Sequence, residues 1–157
     1  MTQIQDQSAG PSSKIKALSA RLSAVQALYQ ISQSGQSVRS AVNEFLEHRM
    51  EMEIDGEKLA RPDGALLKDI VYGVEDRRVE IEAVIAANLK KDAAGRKIEP
   101  LLHAILTCGA YELLVHQQID APIIMNDYLN VAHAFYEKGE VALVNGILDT
   151  LATLFRA

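Results

Sequence analysis

The residues able to do chemistry are few and far apart. His48, His103, His116 and His133 are scattered along the chain without metal-ligand spacing. Cys108 stands alone, so neither an internal disulfide nor a thiolate pair for zinc is available. It falls in mid-helix within an apolar stretch, a setting in which thiols are inert core residues. Glu112, Asp120, Asp127 and Asp149 offer carboxylates that in principle pair as acid and base. Solvation of helix faces accounts for most of them. No glycine-rich phosphate loop, HExxH, CxxC or GxSxG segment occurs. The expectation is a protein that binds, with no catalytic residue, metal or cofactor.

What stands out instead is a set of polar residues on otherwise apolar segments. "ARLSAVQALYQI", residues 20–31, places Arg21, Gln26 and Tyr29 on one helix. Tyr111-Glu112 closes an apolar run, and Asn126-Asp127 opens another. Asn126 reads as an interhelical bond or an N-terminal cap. Asn145-Gly146 falls inside a helical pattern although both are poor helix formers. Close helix packing, or a buried hydrogen bond from the asparagine, is the structural expectation there.

The segments carrying these residues read as helices. Ile15, Leu18, Leu22, Val25 and Tyr29 recur at steps of three and four, one face of a helix that Ser12 or Ser13 can cap. A second helix opens at Ser37, with Val38, Ala41, Val42 and Phe45 inward. "EHRMEMEIDGEKLARPDG" reads as a long charged loop. Asp63 then caps a third helix built on Leu66, Leu67, Ile70, Val71 and Val74. After "EDRR", Val79, Ile81, Val84, Ile85 and Leu89 make a fourth stripe. "PLLHAILTCGAYELLV", residues 100–115, holds one formal charge in sixteen positions. A helix apolar on nearly every side is surrounded by others, so this is the expected hub. Met125, Leu129, Ala132 and Phe135 mark a sixth helix, which "YEKGE" breaks at Gly139. Val144, Ile147, Leu148, Leu151 and Leu154 mark the last. The fold class is all-α, about seven helices and no sheet.

With 157 residues, one domain over 13–157 is expected, preceded by a polar, disordered tail at 1–12. Neither a signal peptide nor a membrane span is apparent, so a cytoplasmic protein is expected. Net charge is −5 but uneven, +2 over residues 1–50, −2 over 51–97 and −5 over 98–157. An acidic total disfavours strong non-specific nucleic-acid binding, while the basic first third leaves room for a local polyanion contact.

Four segments in order, "ARLSAVQALYQ", "AILTCGAYELL", "IMNDYLNVAHAF" and "LVNGILDTLA", resemble the NusB family of transcription antitermination factors, proteobacterial branch, over roughly residues 18–155. The resemblance implies two packed helical subbundles and no catalysis. It also implies binding of single-stranded boxA RNA together with NusE, the ribosomal small-subunit protein, in an RNA polymerase complex acting on ribosomal RNA operons. Gln26 and Tyr29 match family positions, and Tyr29 suits stacking on an unpaired base. Lys14, Lys16 and Arg21 form the expected phosphate-facing edge. Glu112, Asn126 and Asp127 are the expected partner-binding residues, at or supporting a surface that docks a basic protein by charge complementarity. Family members commonly carry an arginine cluster before "AVQALY", and the hub helix often carries charges. Here the first stretch reads "KIKALSARLS", and the hub has Leu102, His103 and Thr107. Fewer cations imply weaker RNA binding and greater reliance on a partner. The alternative is a helical protein-interaction module, homodimeric and weak or inactive toward RNA. A ribosomal RNA methyltransferase sharing the fold fits poorly, since no glycine-rich cofactor domain follows.

Overall fold

The computed structural model describes residues 13–48, 52–54, 57–59, 62–92 and 98–156. Among them seven helices follow in order: α1 Ser13–Ser34, α2 Val38–His48, α3 Gly64–Asp76, α4 Arg78–Asp92, α5 Pro100–Val115, α6 Ala121–Phe135 and α7 Lys138–Phe155. The tail expected at 1–12 lies outside the described residues.

Local chemistry sets the boundaries. The Asp63 side chain accepts from the Leu66 N–H at 3.1 Å and caps α3. Ser37 does the same for the Ser40 N–H and opens α2. Gly35, with φ of +75°, ends α1 in the left-handed conformation that glycine adopts at no steric cost. Proline in the first turn starts both α5 and α6, where its missing N–H leaves no bond unmade.

α1 packs against α2, α3, α5 and α6, while α5 packs against α1, α3, α4, α6 and α7. The chain therefore forms two subbundles, α1–α3 and α4–α7, joined where α1 and α3 meet α5. Eleven of the sixteen residues of α5 are buried, from Leu102 to Leu113, as its composition predicts. Less expected is α1, whose seven consecutive residues Ser19–Val25 are all buried. Its serines and alanines let helices approach from several sides, so it acts as a second hub.

Several expectations need correction. The charged loop contains a short antiparallel hairpin, β1 Met52–Ile54 and β2 Glu57–Leu59, with Ile54 opposite Glu57. The intervening pair in sequence is Asp55-Gly56, which two-residue hairpins favour. Val79 is 87% exposed because it sits two residues, about half a turn, from Ile81 on α4. On α6 the buried face is Ile124, Tyr128, Val131 and Ala132, one position earlier than the apolar spacing suggested, and Phe135 is exposed. The break after α6 falls at Tyr136–Glu137, and Gly139 lies in the first turn of α7. Leu154 is exposed, and Ile15 and Tyr29 open to solvent at the ends of the α1 stripe.

Candidate functional site

The polar residues of α1, α5 and α6 converge where the subbundles meet. Arg21, 2% exposed, extends from α1 to the Glu112 carboxylate of α5. Its Nε donates to Oε2 at 2.7 Å and its Nη2 to Oε1 at 2.8 Å, a bidentate pair. Its Nη1 donates to Asp127 Oδ2 of α6 at 2.9 Å. Glu112, fully buried, accepts two further bonds, from the Tyr128 hydroxyl at 2.5 Å and from His116 Nδ1 at 2.8 Å. Four donors thus satisfy both carboxylate oxygens. The chain continues from His116 Nε2 to Asp69 of α3, which also accepts from the Tyr111 hydroxyl at 2.9 Å.

The network sets its own protonation states. Burial alone pushes the Glu112 carboxyl up, but its bonds to Arg21, His116 and Tyr128 outweigh that and hold it down at about 2. Burial pushes Asp127 up against the pull of Arg21. Burial and the Glu112 charge push the Tyr128 phenol well above its ordinary range. His116 is raised, first by its bond to Glu112 and, against burial, by Asp69. Both ring nitrogens face carboxylates, which only accept, so the charged ring, with two donors, is the form that serves both.

This geometry corrects two site expectations. Arg21 does not face solvent as a phosphate contact: its three nitrogens are taken by two carboxylates inside the protein. Glu112 is not a partner surface, since it is fully buried and saturated. Both are positioning residues that lock α1, α5 and α6 together. Sequence reasoning missed Asp69, His116 and Tyr128 as members. The i, i+4 spacing of Glu112 and His116 was the available signal.

The remaining expected residues, Gln26 apart, are accessible. Lys14 and Lys16 are exposed in the first turn of α1, which holds no acidic residue. Lys14, Asn126 and Asp127 line a groove of about 510 Å³ with Leu66, Ile119 and Ile123, whose floor includes Arg21. Gln26 is partly buried, and its Oε1 accepts no hydrogen bond among the described residues. The Tyr29 ring is 38% exposed. The structural expectation for Asn145-Gly146 also fails. Both are exposed, and a Cβ added at Gly146 meets nothing within 4 Å. Asn145 lines a second groove, about 430 Å³ between α6 and α7, with Leu129, His133 and Lys138. The loop basics are otherwise engaged: Arg77 pairs with Glu80, and Arg78 with Glu75 and Glu82. Arg96 and Lys97, with the side chains of Lys90 and Lys91, lie outside the described residues.

No group of three or more His, Cys, Asp or Glu suited to a metal ion occurs among the described residues. No helix there is long and apolar enough to cross a membrane. Cys108 is fully buried, and burial pushes its thiol well up. Two helical subbundles, locked by a buried ion-pair network and bearing open grooves along α6, define an all-helical two-subbundle protein. A model of the NusB family matches residues 18–153. The transcription antitermination protein NusB of Bradyrhizobium sp. (strain BTAi1) is 37% identical over 138 residues, covering 88% of this chain and 82% of the relative. That of Novosphingobium aromaticivorans is 39% identical over 133 residues, covering 85% and 90%. The chain belongs to the NusB family. The fold matches T. maritima NusB with a TM-score of 0.70 at 20% identity, covering 87% of this chain and 89% of that one. It matches a crystal structure of antitermination factors NusB and NusE in complex with dsRNA with a TM-score of 0.71 at 18% identity, covering 88% and 96%.

Proposed function

We propose that this protein is a cytoplasmic transcription antitermination factor that binds single-stranded boxA-type RNA together with NusE, within an RNA polymerase complex on ribosomal RNA operons. Identity to antitermination proteins over most of the chain supports the activity, and the fold of a NusB solved with NusE and dsRNA supports NusE and RNA as the partners.

The observation that carries the RNA part is the pair Lys14 and Lys16. Two lysines in a first turn add positive charge to the positive end of the helix dipole, which costs helix stability. The same arrangement concentrates potential that favours a phosphate. Tyr29, 38% exposed, supplies a stacking face on the same helix. Arg21 acts beneath them by fixing α1 against α5 and α6. Asn126 and the accessible edge of Asp127 offer the NusE-facing polar groups.

The test is fluorescence anisotropy with labelled single-stranded boxA-like RNA, with and without NusE, at several salt concentrations. Binding that tightens with NusE supports the reading. Replacing Lys14 and Lys16 by alanine removes two phosphate contacts, so the slope of log K against log salt becomes shallower by about 1.4. An unchanged slope removes these lysines from the RNA surface.

A second reading is favoured by Ile123, 51% exposed beside Ile119 and Leu66 in the groove. In it this face joins two copies into a homodimer that covers Lys14. Light scattering that reports a monomer at micromolar concentration removes that reading.

A further inference from the structure

We propose that His116 is a proton-operated clip between the two subbundles, tightening the contact of α3 with α5 when its ring is charged and loosening it when the ring is neutral. The geometry is specific. His116 is the residue at which α5 ends, 8% exposed, with Nδ1 on Glu112 of its own helix and Nε2 on Asp69 of α3. A neutral imidazole donates from one nitrogen only, so it serves one of these carboxylates and turns a lone pair toward the other. Glu112 has no solvent exposure and cannot replace a lost donor with water, whereas the Asp69 side chain is 48% exposed and can. On deprotonation the contact given up is therefore the one to Asp69, which is the one of His116's two that crosses between subbundles.

The groups facing the ring come from every element around it. α3 supplies Asp69, and α5 supplies Glu112 and Tyr111, whose ring meets the imidazole edge-on at 5.4 Å. α1 supplies Arg21 and α6 supplies Tyr128, both across Glu112. Arg156, which ends α7, donates from Nη2 to the His116 carbonyl at 2.8 Å. The two arginines favour the neutral ring, and the two carboxylates and the negative end of the α5 dipole favour the charged one. With Asp127 included, these side chains balance to zero when His116 is charged and carry one excess negative charge when it is neutral. The His116 midpoint is raised above the ordinary 6.5, chiefly by Glu112. Its stabilising contribution is therefore complete below about pH 6.5 and is withdrawn as pH rises through the raised folded midpoint.

The experiment is an NMR titration of the full chain, following histidine ring carbons and backbone amides together. The expected result is a His116 midpoint above 6.5, with the amides around Asp69 on α3 shifting at the same midpoint. In Asp69→Asn the His116 midpoint falls toward 6.5 and the α3 amides no longer follow it. A wild-type midpoint at or below 6.5, or α3 amides silent through the His116 titration, overturns the proposal. So does an unchanged midpoint in Asp69→Asn. The two wild-type readouts decide the matter even where the variant fails to fold.

Discussion

Replacing Arg21 with alanine separates a buried lock from a surface contact. The substitution deletes three charge-assisted hydrogen bonds and leaves Glu112, with no solvent exposure, without its main countercharge. Breaking a buried ion pair by removing one partner costs about 3–5 kcal/mol, because the remaining charge stays desolvated. For a chain of this size each kcal/mol lowers Tm by about 2–4 °C, so the expected loss is on the order of 6–20 °C. Calorimetry and urea unfolding of the free protein measure it, with no RNA present. Arg21→Lys keeps the charge but loses the planar fork, and falls between wild type and alanine. In the double variant Arg21→Met, Glu112→Gln the orphaned charge is gone, so its cost is smaller than the sum of the single changes. A Tm within 2 °C of wild type for Arg21→Ala, combined with loss of RNA affinity, would refute the lock and restore Arg21 to the phosphate surface.

Other outcomes follow from the same contacts. Glu112 is held at about 2 against an ordinary 4.5, so its contribution is present above pH 4.5 and lost as pH falls toward 2. That loss amounts to roughly 3 kcal/mol, read as acid sensitivity in urea melts, and it shrinks in Arg21→Met. Gly73→Ala places a Cβ about 2.2 Å from the Tyr111 ring, which is itself tied to Asp69. Overpacking of this kind costs about 1–3 kcal/mol, and a variant as stable as wild type contradicts that close approach. Arg156 donates to the carbonyls of Leu113, His116 and Ile119, closing the turn after α5. Arg156→Ala is expected to speed amide exchange in that turn, and unchanged exchange means that other bonds hold it.

Most of the fold was legible because α-helix burial writes itself at a period of 3.6. α2, α3 and α7 show it at Ala41, Val42 and Phe45, at Ile70, Val71 and Val74, and at Ile147, Leu148 and Leu151. The errors have physical causes. Serine and alanine pack as core when helices approach closely, so the enclosure of Ser19, Ala20, Ser23 and Ala24 left no apolar signal. Tyr128 is polar at its tip and hydrophobic in its body, so the α6 face was read through Met125 and Leu129 instead. The site was legible only in part. Arg21, Glu112 and Asp127 drew attention singly, but nothing in one sequence says that charges at separations of 91 and 106 residues neutralise one another. Read alone, a cation on a helix suggests a phosphate and an anion suggests a basic partner. Their pairing turned both into interior structure.

Asn145-Gly146 runs the other way, since the sequence suggested an interior role and the structure gives it none. Glycine within a helix costs about 1 kcal/mol relative to alanine, and here no neighbouring atom occupies the space above it. Gly146→Ala is therefore expected to raise stability by about 1 kcal/mol, or 2–4 °C in Tm. The absent side chain leaves the α7 backbone open there, next in sequence to Asn145 of the groove shared with His133 and Lys138. If that face meets RNA or NusE, the added methyl stabilises the free protein and weakens the complex, changes of opposite sign from one substitution. Anisotropy with each ligand measures the second change. A variant that is more stable and binds both ligands as wild type does would make the glycine a tolerated helix defect and leave binding to the α1 surface.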